Sequence, residues 1–179
     1  MEEDSVKLQN DRFAKSAKLY FGSLMPFNDK ILKEVWSKYI DKIDISKDQA
    51  FISKDDIHRE LFVTLLSLMA KAKHRKASFN KVTLNQLVDY NFSPERKTTP
   101  RYLDGDVLLI VHATPTKENK IYGPTLDQVI EERRTYGKRT YLYYKGIVSQ
   151  YKGLKSLSLT DIVDLNPQNR VSGNNEVIL

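Results

Sequence analysis

RYLDGDVLLIVHATPTKENKIYGPTLDQVIEERRTYGKRTYLYYK, residues 101–145, decides how this chain is read. A turn at Gly105-Asp106 opens onto Val107-Leu108-Leu109-Ile110-Val111, an unbroken apolar run, β-branched at both ends. A strand buried on both faces requires such a run. After a polar loop over 112–120, Pro124 and Thr125 lead into Leu126, Val129, Ile130 and Arg133, whose i, i+3, i+4, i+7 spacing makes one helical face. Gly137 stops that helix, and 139–144, rich in Thr and Tyr, alternates as a second strand. The connection between them is long enough for a crossover, so the two strands are expected to run parallel.

Upstream, Ala50-Phe51-Ile52 is short and apolar, as a first strand should be. Ser53 caps a helix that carries Asp55 and Asp56 in its first turn and runs to about Lys73, apolar on most of its circumference through Leu61, Phe62, Leu65, Leu66, Leu68 and Met69. Phe79, Val82 and Leu84 supply another strand, and Leu87, Val88 and Tyr90 a short helix. The loop SPERKTTP over 93–100 follows. Alternation of strand and helix predicts an α/β fold with a mostly parallel central sheet flanked by helices. Before it, 6–24 reads as a weakly amphipathic helix. Asn28 caps a second one, in which Ile31, Leu32, Val35, Trp36, Tyr39 and Ile43 share a stripe with Trp36 as its core anchor. Residues 1–46 are therefore expected to form an N-terminal helical extension and 47–179 the α/β core domain. Downstream, 160–165 is expected as a helix capped by Thr160, and 176–179 as a last edge strand.

The chain has 179 residues, enough for one core that buries about two-thirds of the unfolded surface. With no cysteine it can make neither disulfides nor thiolate metal sites, and three histidines speak against zinc chemistry, so no metal and no cofactor is expected. The longest apolar-rich segment, 61–70, is half of what a membrane span needs, which predicts a cytoplasmic protein with no membrane partner. The net charge of +6 and a pI near 9.3 favour an anionic partner, nucleic acid first.

The densest positive region is Arg133, Arg134, Lys138, Arg139 and Lys145, interleaved with Tyr136, Tyr141, Tyr143 and Tyr144. Cations that track phosphates beside rings that stack on bases are what a single nucleic-acid strand uses. The plainer reading of the same residues puts Tyr141 and Tyr143 into sheet packing and pairs the arginines with Glu118, Glu131 and Glu132. A second basic patch is Lys71, Lys73, Arg75 and Lys76, equally readable as a solvated helix end. His112 follows a buried strand, where open α/β sheets place ligands, but no acid stands by to make it a general base. Asp104 and Asp106 flank Gly105 as turn formers, and no catalytic set emerges.

The block GDVLLI, a loop, then TLDQVIEERRTYGKRTYLYY resembles the end of the nucleotide-binding core in the helicase-loader and transposition-helper branch of the AAA+ ATPases. The resemblance extends over 49–144, with 50–52 at the first strand and the helix from Asp55 at the P-loop helix. It implies a nucleotide-fold sheet, but the chemistry is missing. A P-loop needs glycines for backbone approach to phosphate, a Lys, and a Ser or Thr for magnesium. Here Ser53-Lys54-Asp55-Asp56-Ile57-His58 has no glycine, and Val111-His112 stands where the family carries acids. The resemblance thus implies a degenerate, non-enzymatic accessory protein of DNA replication or recombination. Its partner would be a replication protein, ATPase or helicase, with single-stranded DNA as a second ligand. Two alternatives stand beside it. The same strand, loop and helix also look like nucleotide-cleaving enzymes of deoxyribosyltransferase-like or TIR-like fold, although Leu126-Asp127-Gln128 replaces their catalytic Glu. The other is a protein-interaction module that inhibits a host ATPase through its N-terminal helices.

Overall fold

The computed structural model describes residues 2–24, 27–54, 59–92, 104–111, 122–151 and 153–166. Among them, β1 (Gln49–Ser53), β2 (Phe79–Thr83), β3 (Val107–Val111), β4 (Arg139–Lys145) and β5 (Asp161–Asp164) form one parallel sheet in the order β2-β3-β4-β1-β5. The 107–111 run lies inside the sheet between β2 and β4 and parallel to both, with Leu109 beside Tyr141 and Ile110 beside Leu142. All five of its residues are buried.

Two helical layers explain that burial. One face carries α1 (Glu2–Phe21), α2 (Asp29–Tyr39) and α3 (Arg59–Lys73), packed on Phe51, Leu109, Tyr141 and Tyr143. The other carries α4 (Leu84–Phe92), α5 (Tyr122–Thr135) and α6 (Lys155–Ser158), packed on Ala50, Ile52, Leu108, Ile110, Leu142 and Tyr144. The period of two along each strand sends alternate side chains to the two layers. Phe13, Ala17, Leu32 and Trp36 belong to the same apolar cluster as Phe51 and Tyr143, so the N-terminal helices are part of a layer that covers the sheet. Trp36 is the core anchor its stripe predicts, with its ring 5.3 Å from that of Phe13.

Local chemistry sets the helix ends. Asn28 caps α2, its Oδ1 accepting from Ile31 N–H at 3.0 Å. A 3-10 turn (Ile40–Lys42) continues that helix, and Lys73 Nζ donates to the carbonyls of Ile40 and Ile43, both at 3.0 Å. A cation on the last carbonyls suits the negative end of a helix. At the end of α5, Gly137 adopts φ +69°, Gly137 N–H donates to Arg134 O and Lys138 N–H to Arg133 O, the paired closure of a Schellman motif.

The expected helix over 160–165 is a strand instead. Ile162 and Val163 are β-branched, β1 has an open edge, and pairing of Gln49 with Asp161 through Ile52 with Asp164 fills it. Thr160 donates its hydroxyl to Leu157 O at 3.0 Å and closes the preceding turn. The expected edge strand over 176–179 and the capped helix start over 55–58 lie outside the described residues. Among the described residues no helix is long and apolar enough to cross a membrane. Packing predicts that Phe51→Ala, at a residue 1 % exposed and stacked edge-on against Tyr141, costs about 3–5 kcal/mol in urea unfolding. Ile162→Ala, on the half-open edge strand, should cost well under half as much.

Candidate functional site

Every described strand is parallel, so the sheet has a carboxyl end, where open α/β folds bind ligands, and an amino end. At the carboxyl end of β1 the Ser53 carbonyl and the Lys54 N–H are already bonded. Lys54 N–H, which would open a phosphate cradle, donates to Asn166 Oδ1 at 2.8 Å. Asn166 Nδ2 in turn donates to Gly146 O at 3.0 Å and to Asp164 Oδ1 at 2.8 Å, while Gly146 N–H donates to Ser53 O at 2.7 Å. Tyr151 adds its hydroxyl to Lys145 O. The loops after β1, β4 and β5 are thereby tied to each other. His112, Asp55, Asp56 and His58 lie outside the described residues.

The expected basic patch is divided by the sheet. Lys145 ends β4 at the carboxyl end, whereas Arg139 starts it, six residues and about 20 Å away along the strand. Arg133 is withdrawn from solvent altogether: it is 1 % exposed, and its Nη2 donates to Gly105 O at 2.7 Å and Arg139 O at 3.0 Å. Burial pulls its guanidinium down to about 10. Its expected place on a nucleic-acid surface is corrected on that ground. The signal was in the sequence, since Arg133 is the fourth member of the Leu126, Val129, Ile130 stripe. Arg134 pairs with the buried carboxylate of Asp48 at 2.5 Å and donates to Leu159 O. Asp48 Oδ1 accepts from Thr140 N–H at 2.7 Å, so one acid fastens α5 to the starts of β1 and β4. Glu131, expected beside the arginines, bonds Lys155 at 2.8 Å. Tyr141, Tyr143 and Tyr144 are buried in the two layers, the packing alternative. Tyr144 is pushed up to about 12, chiefly by burial, and shares a 2.8 Å hydrogen bond with Ser156.

Apart from Lys145, what stays on the surface is at one end. Helices α3 and α5 both finish where the strands begin, which brings the second basic patch round to the first. Lys71, Arg75, Lys76 and Tyr136 are exposed, Tyr136 by 72 %, and Lys138 and Arg139 are half-buried. Lys73 belongs to the α2 cap described above and not to this surface. Lys138 Nζ donates to Asp104 O at 2.9 Å and Arg139 Nε to Ser46 O at 2.7 Å. Sequence reasoning missed Lys47, which precedes β1 and lines a cleft of about 480 Å³ with Arg134, Arg139 and Asp161. Three cationic stations therefore precede β2, β4 and β1. At about 4.8 Å per strand spacing they span roughly 14 Å.

Asp104 and Asp106 are turn formers, as expected: Asp106 Oδ2 accepts from Ser78 N–H at 2.8 Å and from its hydroxyl at 2.9 Å. Those bonds hold the Asp106 carboxyl below the usual carboxylate range. Among the described residues no group of three or more acids and histidines is placed to hold a metal ion.

Two outcomes follow for stability. Asp48→Ala strands Thr140 N–H in the interior and releases Arg134, and should cost about 2–3 kcal/mol in denaturant titration. A lowered Asp106 pKa means stability that is present above the unfolded value of 3.8 and is lost as pH falls through the folded one. Ser78→Ala should therefore show its full deficit at neutral pH, and the gap to the parent protein should narrow below about pH 4.

No protein-family model and no curated protein matches the chain. Solved structures do. A DnaC helicase loader aligns with a TM-score of 0.51 and 9 % identity over 79 % of this chain and 93 % of its own. The replication initiator DnaA bound to AMPPCP and single-stranded DNA gives 0.50 and 12 % over 79 % of this chain and 47 % of its own. A DNA replication initiation factor gives 0.49 and 13 % over 76 % and 45 %. The chain thus spans less than half of either initiator. At these identities the likeness is one of fold, and the parallel α/β core expected from 101–145 is the fold that this chain shares with the helicase loader.

Proposed function

We propose that this chain is a non-hydrolysing accessory protein of DNA replication that docks on a partner ATPase or helicase and holds single-stranded DNA along the amino end of its sheet. The observation that carries the reading is the carboxyl end of β1. The glycine-free sequence Ser53-Lys54-Asp55-Asp56 offers no backbone cradle, and the Lys54 N–H is already bonded to Asn166. The fold shared with a helicase loader supports the choice of replication as the setting. The line of cations before β2, β4 and β1, with Tyr136 exposed beside the middle station, supports a phosphodiester ligand.

Three measurements test this. Calorimetry with magnesium and ATP should give no saturable heat, and a micromolar affinity would overturn the non-hydrolysing reading. Capture assays with purified replicative helicases and their ATPases should give one stoichiometric partner, and none binding would remove the accessory role. Replacing Lys71, Arg75, Lys76 and Lys138 by Ala should weaken oligo-dT binding uniformly. It should also flatten the dependence of log K on log salt by about 0.7 for each phosphate no longer neutralised, with the melting temperature only slightly lowered by loss of the Lys138 bond to Asp104 O. Equal binding by that variant would sink the DNA half.

A further inference from the structure

The cleft of about 480 Å³ at the start of β1 is the size of a small ligand site, for which roughly 300–1,000 Å³ is usual. Four parts of the chain meet on it: Lys47 before β1, Arg134 at the end of α5, Arg139 at the start of β4 and Asp161 at the start of β5. The protein fixes both guanidinium groups through part of their donor set. Arg134 gives Nε to Asp48 and Nη2 to Leu159 O, and Arg139 gives Nε to Ser46 O and Nη1 to Lys138 O. One nitrogen of each, Arg134 Nη1 and Arg139 Nη2, has no bond among the described residues. The Lys47 ammonium has one loose contact, 3.8 Å from Asp44. Solvent reaches these groups, since the Lys47 and Arg134 side chains are 58 % and 39 % exposed and Arg139 is half-buried. Of the two acids on the cleft, Asp48 is buried with both oxygens already bonded, which leaves Asp161 exposed at the margin.

We infer that this cleft takes the terminal phosphomonoester of a nucleic-acid strand. The monoester carries close to about two negative charges at neutral pH, where an internal phosphodiester carries one. Two guanidinium groups and an ammonium on one cleft suit that denser charge, because arginine donors match phosphate oxygens in geometry as well as sign. Both arginines are held in place before any ligand arrives, so little ordering cost is left for binding. The cleft is also where the cationic line stops. Strand β5 is the edge of the sheet, and its first residue, Asp161, sets a carboxylate across the path beyond Lys47. A chain running on past that edge would bring a phosphodiester against a like charge, whereas a strand that ends in the cleft avoids it. From there the strand follows the cations before β4 and β2. The 5′ and 3′ terminal phosphates share this chemistry. The inference rests on the DNA half of the reading above and gives that strand an end and a direction.

The probes are three oligo-dT strands of one length, labelled at an internal base: one with a 5′ phosphate, one with a 3′ phosphate and one with hydroxyls at both ends. Fluorescence anisotropy at low salt should show one phosphorylated strand binding about fivefold or more tighter than the hydroxyl-ended strand, with the other near parity. The preferred end fixes the direction of the strand along the sheet. Lys47→Ala, at an exposed site, should weaken all three strands and bring the preference to within about twofold, with a melting curve close to the parent's. Asp161→Asn should tighten the hydroxyl-ended strand and narrow the preference, since the cationic line no longer meets a carboxylate. Equal affinity for the three strands, or an unchanged preference in Lys47→Ala, would overturn the inference and leave the DNA reading standing. Failure of every strand to bind would remove both. A phosphoserine peptide that displaces the phosphorylated strand as well as thymidine monophosphate does would overturn the nucleic-acid assignment of the cleft.

Discussion

A sheet buried on both faces has to end somewhere, and its ends carry peptide groups that little water reaches. In this protein two consecutive arginines and one aspartate meet that demand at the amino end. Arg133 caps the carbonyls of Gly105 and Arg139, Asp48 takes the N–H of Thr140, and Arg134 closes on Asp48 and on Leu159 O. Each hydrogen bond to a charged group contributes about 1.5–3 kcal/mol, and leaving its buried partner bare costs as much again. The register of β3 on β4 on β1, and with it the placement of both helical layers, depends on these end contacts.

The chemistry of the two sheet ends differs because different loops serve them. At the carboxyl end, which in open α/β folds receives ligands, one asparagine from beyond β5 bonds both Lys54 N–H after β1 and Gly146 O after β4. The amino end is studded with cations because α3 and α5 finish there, and helix C-termini favour positive residues. Part of that charge is consumed internally, by Lys73 on the α2 turn, Arg133 in the core and Arg134 on Asp48, while Lys71, Arg75 and Lys76 face solvent. A basic amino end and a carboxyl end of β1 bonded to the loop after β5 thus both follow from which loops and helices meet each end.

Strands β1 to β4 were legible because each is a short apolar or β-branched run between breakers, and α2 because Asn28 and its stripe agree. The segment 160–165 was not, since Leu159, Ile162 and Val163 suit either period and only the open edge of β1 decides between them. Arg133 and Arg134 read as a surface pair because adjacent cations usually are one; the apolar stripe that ends in Arg133 told otherwise for the first of them. The roles of Asp48 and Asn166 come from contacts 92 and 112 residues apart in the chain, which no local pattern encodes.

Strand order also sets a timetable for synthesis. β1 finds no neighbour until β4 has been made, since Gln49 pairs with Tyr141, and its other flank waits for Asp161. While a ribosome is still extending the chain, the first half must therefore hold the apolar side of α3 and the unpaired edges of β1 without a sheet to lay them on. Non-local pairing of this kind folds slowly and leaves sticky intermediates.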